Sequence, residues 1–275
     1  MQRLLVPSRS SGVRLLGPSW RAARDKVLSM VHEDYQLITI IGRAGAGKTT
    51  LLLSLEGMVD GVFMYADMTE VRDRDLSAIV YTVFTDNIRK IQEIQERLRR
   101  IGAKGLLRAF AKAGIDEVLE SAKLRPMETL KLLNDAVGGL LGMSPLVIGI
   151  DEGLLSQDDS RAMDFINAIH ALRNNMQALP STRIVITLLP DVVNLISKVD
   201  TPLFDILRLG AITLPDYVTR EDLKEVIQEY GLSETEMGKI EALGPLTMRQ
   251  LICLMNTKMD VIKCGIDTAG EISIE

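Results

Sequence analysis

The chain predicts an α/β fold in which a five-stranded parallel sheet is sandwiched by helices and followed by a small all-helical C-terminal lid. Three observations predict it. Five short apolar runs, at 37–41, 61–66, 146–150, 183–188 and 211–214, alternate with segments of helical pattern, as expected of strands joined by crossover helices. Hydrophobic residues make up 47% of the chain but aromatics only 4%, so the core is built from Leu, Ile, Val, Met and Ala, which suits helices and buried parallel strands. Beyond Pro215 the strand pattern stops and three helix starts follow in succession. The division expected is 1–215 for the α/β unit and 216–275 for the helical lid and a short tail.

The elements follow in order. Residues 1–24 carry Arg3, Arg9, Arg14, Arg21 and Arg24 with serines and no acid. Organellar transit peptides share that composition; the alternative is a basic lead-in that wraps the following domain. Gly17-Pro18-Ser19 then opens a helix from Trp20 to about Val31. The run 37–41 is a buried strand, and a helix is expected over 48–55. The strand at 61–66 ends at Asp67, and a helix runs from Asp73 or Asp75 towards Phe84. Residues 86–142 form a helical insertion with interruptions at Gly102, Gly105, Gly114 and Pro126. The third strand, introduced by Ser144-Pro145, ends in Asp151-Glu152; a helix over 158–176 follows, then a strand stopped at Pro190 and a short one ended by Pro215. In the lid, Thr219 with Asp222, Ser233 with Glu236, and Thr247 with Gln250 have capping-box spacing, with Asp222 a shorter substitute for Glu.

Between the first strand and its helix lies Gly42-Arg43-Ala44-Gly45-Ala46-Gly47-Lys48-Thr49, a complete phosphate-binding loop in the strand-loop-helix setting that its mechanism requires. Glycines let the backbone curl so that successive N–H groups point at phosphate oxygens, and the helix N-terminus favours negative charge. Lys48 is expected to reach the β/γ-phosphates and Thr49 to ligate Mg²⁺, with Thr50 beside them. The carboxylate of Asp151, at the end of a strand expected next to the loop strand, is the second metal-side group, and Glu152 would polarise the attacking water. Cys253 and Cys264 lack CxxC spacing and only two histidines are present, so neither a zinc site nor a disulfide is expected and a cytoplasmic home is the default. No apolar stretch is long enough to suggest a membrane span.

With the loop, Asp151-Glu152 and the order of the elements in place, the chain resembles the AAA+ ATPases over nearly its whole length, from about Arg14 to Lys258. The resemblance implies Mg²⁺-dependent ATP hydrolysis on a P-loop NTPase fold. It assigns Thr187, at the end of the fourth strand, to sensing the γ-phosphate, where family members often have Asn. In Thr201-Pro202-Leu203-Phe204-Asp205-Ile206-Leu207-Arg208, it makes Arg208 the candidate arginine finger reaching a neighbouring subunit's nucleotide, with Arg173 and Arg183 as weaker candidates. In Gly244-Pro245-Leu246-Thr247-Met248-Arg249, it makes Arg249 the lid residue that contacts the γ-phosphate. Sites completed in trans imply a homo-oligomer, ring or helical filament.

Charge is unevenly spread. The net charge is −5, yet residues 89–112 hold eight basic side chains against Glu93 and Glu96. On a helix from Ile88, the side chains Ile88, Ile91, Ile94, Leu98 and Ile101 fall on one side, and Arg97, Arg100, Lys104 and Arg108 opposite. Such a row can follow a phosphate backbone without reading sequence, whereas Glu93–Arg97 and Glu96–Arg100 pairing would make it an ordinary solvated face, and a break at Gly102 and Gly105 would divide it. Extra helices between the second and third strands resemble the insertion of the initiator branch of the family, which implies DNA. Only 17 residues follow Lys258, too few for a winged helix, so the resemblance narrows to compact ATPases that coat DNA or load another protein onto it. The expectation is an ATPase that assembles with ATP on DNA, nucleoid-associated and working with a further protein partner. The alternative is a signal-transducing or protein-remodelling NTPase switch that does not touch DNA.

Overall fold

The computed structural model describes residues 14–151 and 160–266. Strands β1 (Leu37–Ile41), β2 (Val62–Asp67), β3 (Leu146–Asp151), β4 (Thr182–Leu188) and β5 (Ala211–Thr213) form one all-parallel sheet in the order β2-β3-β4-β1-β5. Parallel strands covered on both faces need apolar side chains throughout, and β3 and β4 are buried at every position. One face packs against α1 (Pro18–His32) and α2 (Lys48–Leu53), with Ile38, Ile40, Tyr65, Val147 and Val185 in that core. The other core draws on α3 (Leu76–Asp86), α4 (Ile88–Arg100), α5 (Gly105–Lys112), α6 (Ile115–Leu124), α7 (Pro126–Asn134), α8 (Ser160–Asn174), α9 (Pro190–Val199) and α10 (Thr201–Leu209).

The order corrects one expectation. β3 does not neighbour β1; β4 lies between them, so Asp151 is one strand further from the phosphate loop than the sequence suggested, and Thr187 stands in the intervening position. The cause is the connection from β1 through α2 to β2, which carries the chain past two strand positions that β3 and β4 later fill.

The basic row is divided, as the glycines allow. Ile91, Ile94 and Leu98 are buried as their spacing predicts, but α4 ends at Arg100 and Gly102 takes φ 68. Ile101 is therefore not on the buried face: it is 52% exposed. Lys104 caps the start of α5 and Arg108 lies on that second helix, so the four cations do not share one helix.

Helices α11 (Arg220–Tyr230), α12 (Glu234–Glu241) and α13 (Met248–Thr257) enclose a third core containing Leu223, Val226, Ile227, Ile240, Leu251 and Leu254. All three expected capping boxes form, each hydroxyl accepting from the N3 backbone N–H and each N3 side chain accepting from the cap N–H. The expectation against a disulfide is overturned: the chain after α13 folds back and brings Cys264 to Cys253, with Cα atoms 5.6 Å apart and the sulfurs bonded. Spacing alone missed it because the pairing depends on a turn at Lys258 and Met259, both in left-handed backbone. Among the described residues no helix is long and apolar enough to cross a membrane.

Candidate nucleotide-binding site

The phosphate loop follows β1 at the carboxyl edge of the sheet, where open α/β sheets place ligands. Gly45 and Gly47 adopt φ 82 and φ 89, backbone that residues with a Cβ rarely take. Both are also crowded. A Cβ on Gly47 would lie 3.0 Å from Trp20 Nε1, and one on Gly45 would lie 3.1 Å from Arg249 Cβ. Trp20, only 1% exposed, donates its indole N–H to the Ala46 carbonyl at 2.7 Å and so pins the loop from behind. The Lys48 ammonium donates to the carbonyls of Gly42 (2.7 Å) and Arg43 (3.2 Å), holding its charge within the loop. Thr49 and Thr50 follow on α2, half-buried, while Arg43 and Ala44 are exposed at the rim. Arg43 pairs with Asp216 at 3.3 Å.

The facing wall is built by β3, β4 and β2. Asp151 pairs in register with Thr187 on one side and Asp67 on the other. Its carboxylate is 3% exposed and accepts the Thr187 hydroxyl at Oδ1 (2.6 Å) and the Tyr65 hydroxyl at Oδ2 (3.0 Å). Burial of a carboxylate is costly unless such donors replace water. Tyr65 was not singled out in the sequence, where a tyrosine inside an apolar strand looks like core. Glu152 lies outside the described residues. Among the described residues no cluster of three or more His, Cys, Asp or Glu could hold a metal by itself, so a cation here would depend on Thr49, Asp151 and ligand oxygens together.

The lid closes the third side. Arg249 opens α13, and its backbone N–H donates to the Gly45 carbonyl at 3.2 Å, which brings its exposed side chain to the loop. The lead-in ties this arrangement together. Ser19 donates its N–H (2.9 Å) and hydroxyl (2.8 Å) to Asp222 on α11, Gly17 N–H donates to Glu225 (3.2 Å), and Arg21 and Arg14 pair with Glu225 and Glu229. The Arg21 hydrogen bond, the largest influence, holds the Glu225 carboxyl below its usual range against the opposing effect of burial. Asp222 thus serves two elements: it completes the Thr219 capping box and anchors Ser19, which accounts for Asp where the box usually has Glu. Leu15 belongs to the α1/α2 core and Leu16 to the lid core, so adjacent residues of the lead-in enter two different interiors.

Other sequence candidates lie elsewhere. Arg208 is exposed in the last turn of α10, next to Leu209. Arg183 is withdrawn as a finger candidate because its guanidinium is buried, donating to the carbonyls of Pro180 (2.7 Å) and Thr182 (3.1 Å) and pairing with Asp34. Arg173 donates to Asn174 at 2.8 Å. Arg97, Arg100, Lys104 and Arg108 are all exposed on the insertion; Arg100 pairs with Glu96 at 2.9 Å and Arg97 reaches Met143 Sδ at 3.1 Å.

No protein-family model and no curated protein matches the chain. Solved structures do. The Walker-type ATPase PABY2304 of Pyrococcus abyssi is 18% identical, with TM-score 0.58 over 90% of this chain and 69% of that one. The Aeropyrum pernix ORC2 protein, solved in ADPNP and ADP complexes, is 15% identical, with TM-score 0.54 over 100% of this chain and 72% of that one. Cdc6p of Pyrobaculum aerophilum is 17% identical, with TM-score 0.44 over 80% of this chain and 51% of that one. At these identities the likeness is one of fold, and the chain shares a five-stranded parallel α/β fold with the Walker-type ATPase and the ORC2 protein.

Proposed function

We propose that the protein is an ATP-hydrolysing AAA+ ATPase whose subunits assemble with ATP and act on DNA. What supports the reading is Lys48 bonded within the loop, the Asp151–Thr187 pair at the same carboxyl edge of the sheet, and Arg249 packed on Gly45. The donors fit a triphosphate. Lys48 and the loop amides hold the β- and γ-phosphates, and Thr49 and Asp151 hold Mg²⁺. Bound there, Mg²⁺ would neutralise charge on the phosphate oxygens. Thr187 holds Asp151 in place and faces the γ-phosphate, Glu152 polarises the attacking water, and Arg249 transmits the phosphate's loss to the lid. Arg208 completes the site of a neighbouring copy, which makes assembly depend on ATP. The unit boundary is taken near residue 215, with the lid as the moving part.

The DNA role rests on the exposed cations Arg97, Arg100, Lys104 and Arg108. A second reading is favoured by the break after Arg100: Ile101 and Leu106, the latter 75% exposed, stand at the tip among these cations and would equally suit a protein partner of a remodelling switch. Binding of duplex and single-stranded DNA with a non-hydrolysable ATP analogue, titrated with salt, separates the two. Neutralising four phosphates predicts a log–log slope of about −3.6 for duplex DNA. ATP-dependent oligomers that bind neither form at low salt would sink the DNA reading. Turnover lost with ATP binding kept is expected for Glu152→Gln, and normal turnover would remove Glu152 from its role.

A further inference from the structure

We infer that Tyr65 is a positioning residue for the metal-side carboxylate Asp151, forming with Thr187 a two-hydroxyl clamp that fixes the plane in which Asp151 can offer oxygens to a divalent cation. The inference rests on the proposed role of Asp151 and adds a residue that the phosphate-loop and strand-end motifs do not contain.

The geometry is specific. Tyr65 and Thr187 stand on the two strands flanking β3, so their hydroxyls approach Asp151 from opposite sides. Each takes a different oxygen, Thr187 at Oδ1 (2.6 Å) and Tyr65 at Oδ2 (3.0 Å). A carboxylate held at one oxygen can still swing about its last torsion; held at both from opposite sides, it cannot. Each oxygen keeps acceptor capacity beyond the one bond, so the clamp orients the group and leaves lone pairs for a cation or its waters.

The sequence provides for this reach. Tyr65 pairs in register with Gly149, two residues before Asp151 on the same face of β3. Gly149 has no side chain to stand between the ring and the carboxylate. A Cβ there would meet Leu52 Cδ1 at 2.9 Å and the Phe63 ring at 3.1 Å, so the space is already filled from α2 and β2. The tyrosine backbone is fixed in turn by buried Asn87, whose side chain accepts from Tyr65 N–H (3.3 Å) and donates to its carbonyl (2.8 Å). A residue that only filled the core would not need the hydroxyl. Outer partners of metal-holding carboxylates act by such orientation, and their loss typically weakens metal affinity by about 10–100-fold.

The test is equilibrium binding, independent of turnover. ATP affinity is measured by calorimetry with Mg²⁺ and with EDTA, and the ratio gives the Mg²⁺-dependent gain for each variant. Tyr65→Phe is expected to reduce that gain by about tenfold while leaving affinity in EDTA unchanged. Asp151→Asn is the control for the site itself: if it leaves the gain intact, the metal-side reading of Asp151 fails. If Asp151→Asn abolishes the gain and Tyr65→Phe keeps the wild-type ratio, Tyr65 is only a core residue and the inference is overturned. Thermal unfolding checks that each variant is folded. Should Tyr65→Phe not fold, Tyr65→Met removes the hydroxyl with a more adaptable apolar chain and is judged by the same ratio.

Discussion

Replacing Trp20 with Phe isolates the anchor behind the phosphate loop. The indole N–H bonds the Ala46 carbonyl at 2.7 Å, and both residues are almost wholly buried. Phe cannot donate, so a buried carbonyl loses its partner, at a cost of about 1–3 kcal/mol. The smaller ring leaves a void of roughly 40 Å³, worth about 1 kcal/mol at ~24 cal/mol per Å³ if the site does not collapse. The expected loss of stability is therefore about 2–4 kcal/mol. Because Trp20 is the sole tryptophan, unfolding in urea is followed by far-ultraviolet circular dichroism rather than fluorescence. If the anchor also pre-forms the loop, ATP affinity measured by calorimetry falls by about five- to tenfold, since part of the binding energy then goes into ordering the backbone. A stability change below about 0.5 kcal/mol would refute the reasoning, because surface substitutions already reach that size.

Thr187→Val removes one of the two donors to buried Asp151 and is expected to cost about 1.5–3 kcal/mol in urea unfolding, while Thr187→Ser retains most of it; equal costs for both would deny the hydrogen bond its importance. The depressed Glu225 carboxyl gives the clasp between lead-in and lid a pH dependence. Its contribution is complete above the ordinary carboxylate range and is lost as pH falls through the lowered native value, so Glu225→Gln should flatten the acid limb of the stability profile. Unaltered acid unfolding in that variant would count against the clasp. Replacing Cys253 and Cys264 with Ser is expected to cost roughly 2–4 kcal/mol, read from thermal unfolding with and without reductant, and indifference to reductant in the parent chain would show that the bridge contributes nothing.

Local signals made much of this molecule legible. The phosphate loop, the strand ends and three capping boxes each depend on residues close in sequence, and each lies within a few residues of where pattern placed it. What pattern missed depends on distant segments meeting. Strand order put β4 between β1 and β3, a matter of crossover paths that periodicity does not record. Tyr65 looked like any aromatic in a buried run until β3 brought Asp151 beside it. Asp222 looked like an imperfect cap because its second partner, Ser19, is 203 residues away. The insertion was half legible: its glycines marked the breaks that divide the cations between two helices, but only the fold shows that Ile101 faces outward.

The lead-in that sends Leu15 into one interior and Leu16 into another has a mechanical consequence. Joined to the α/β unit only through the chain after β5, the lid would swivel on a point, free to tilt in any direction. The clip at residues 14–21 is a second attachment, and a body held at two points can turn only about the line through both. With the Arg249 N–H bonded to the Gly45 carbonyl the lid is held at the loop as well; were that bond broken, the two remaining attachments would leave it the freedom of a door rather than of a ball joint. The axis of any such turning would be the line through those two attachments.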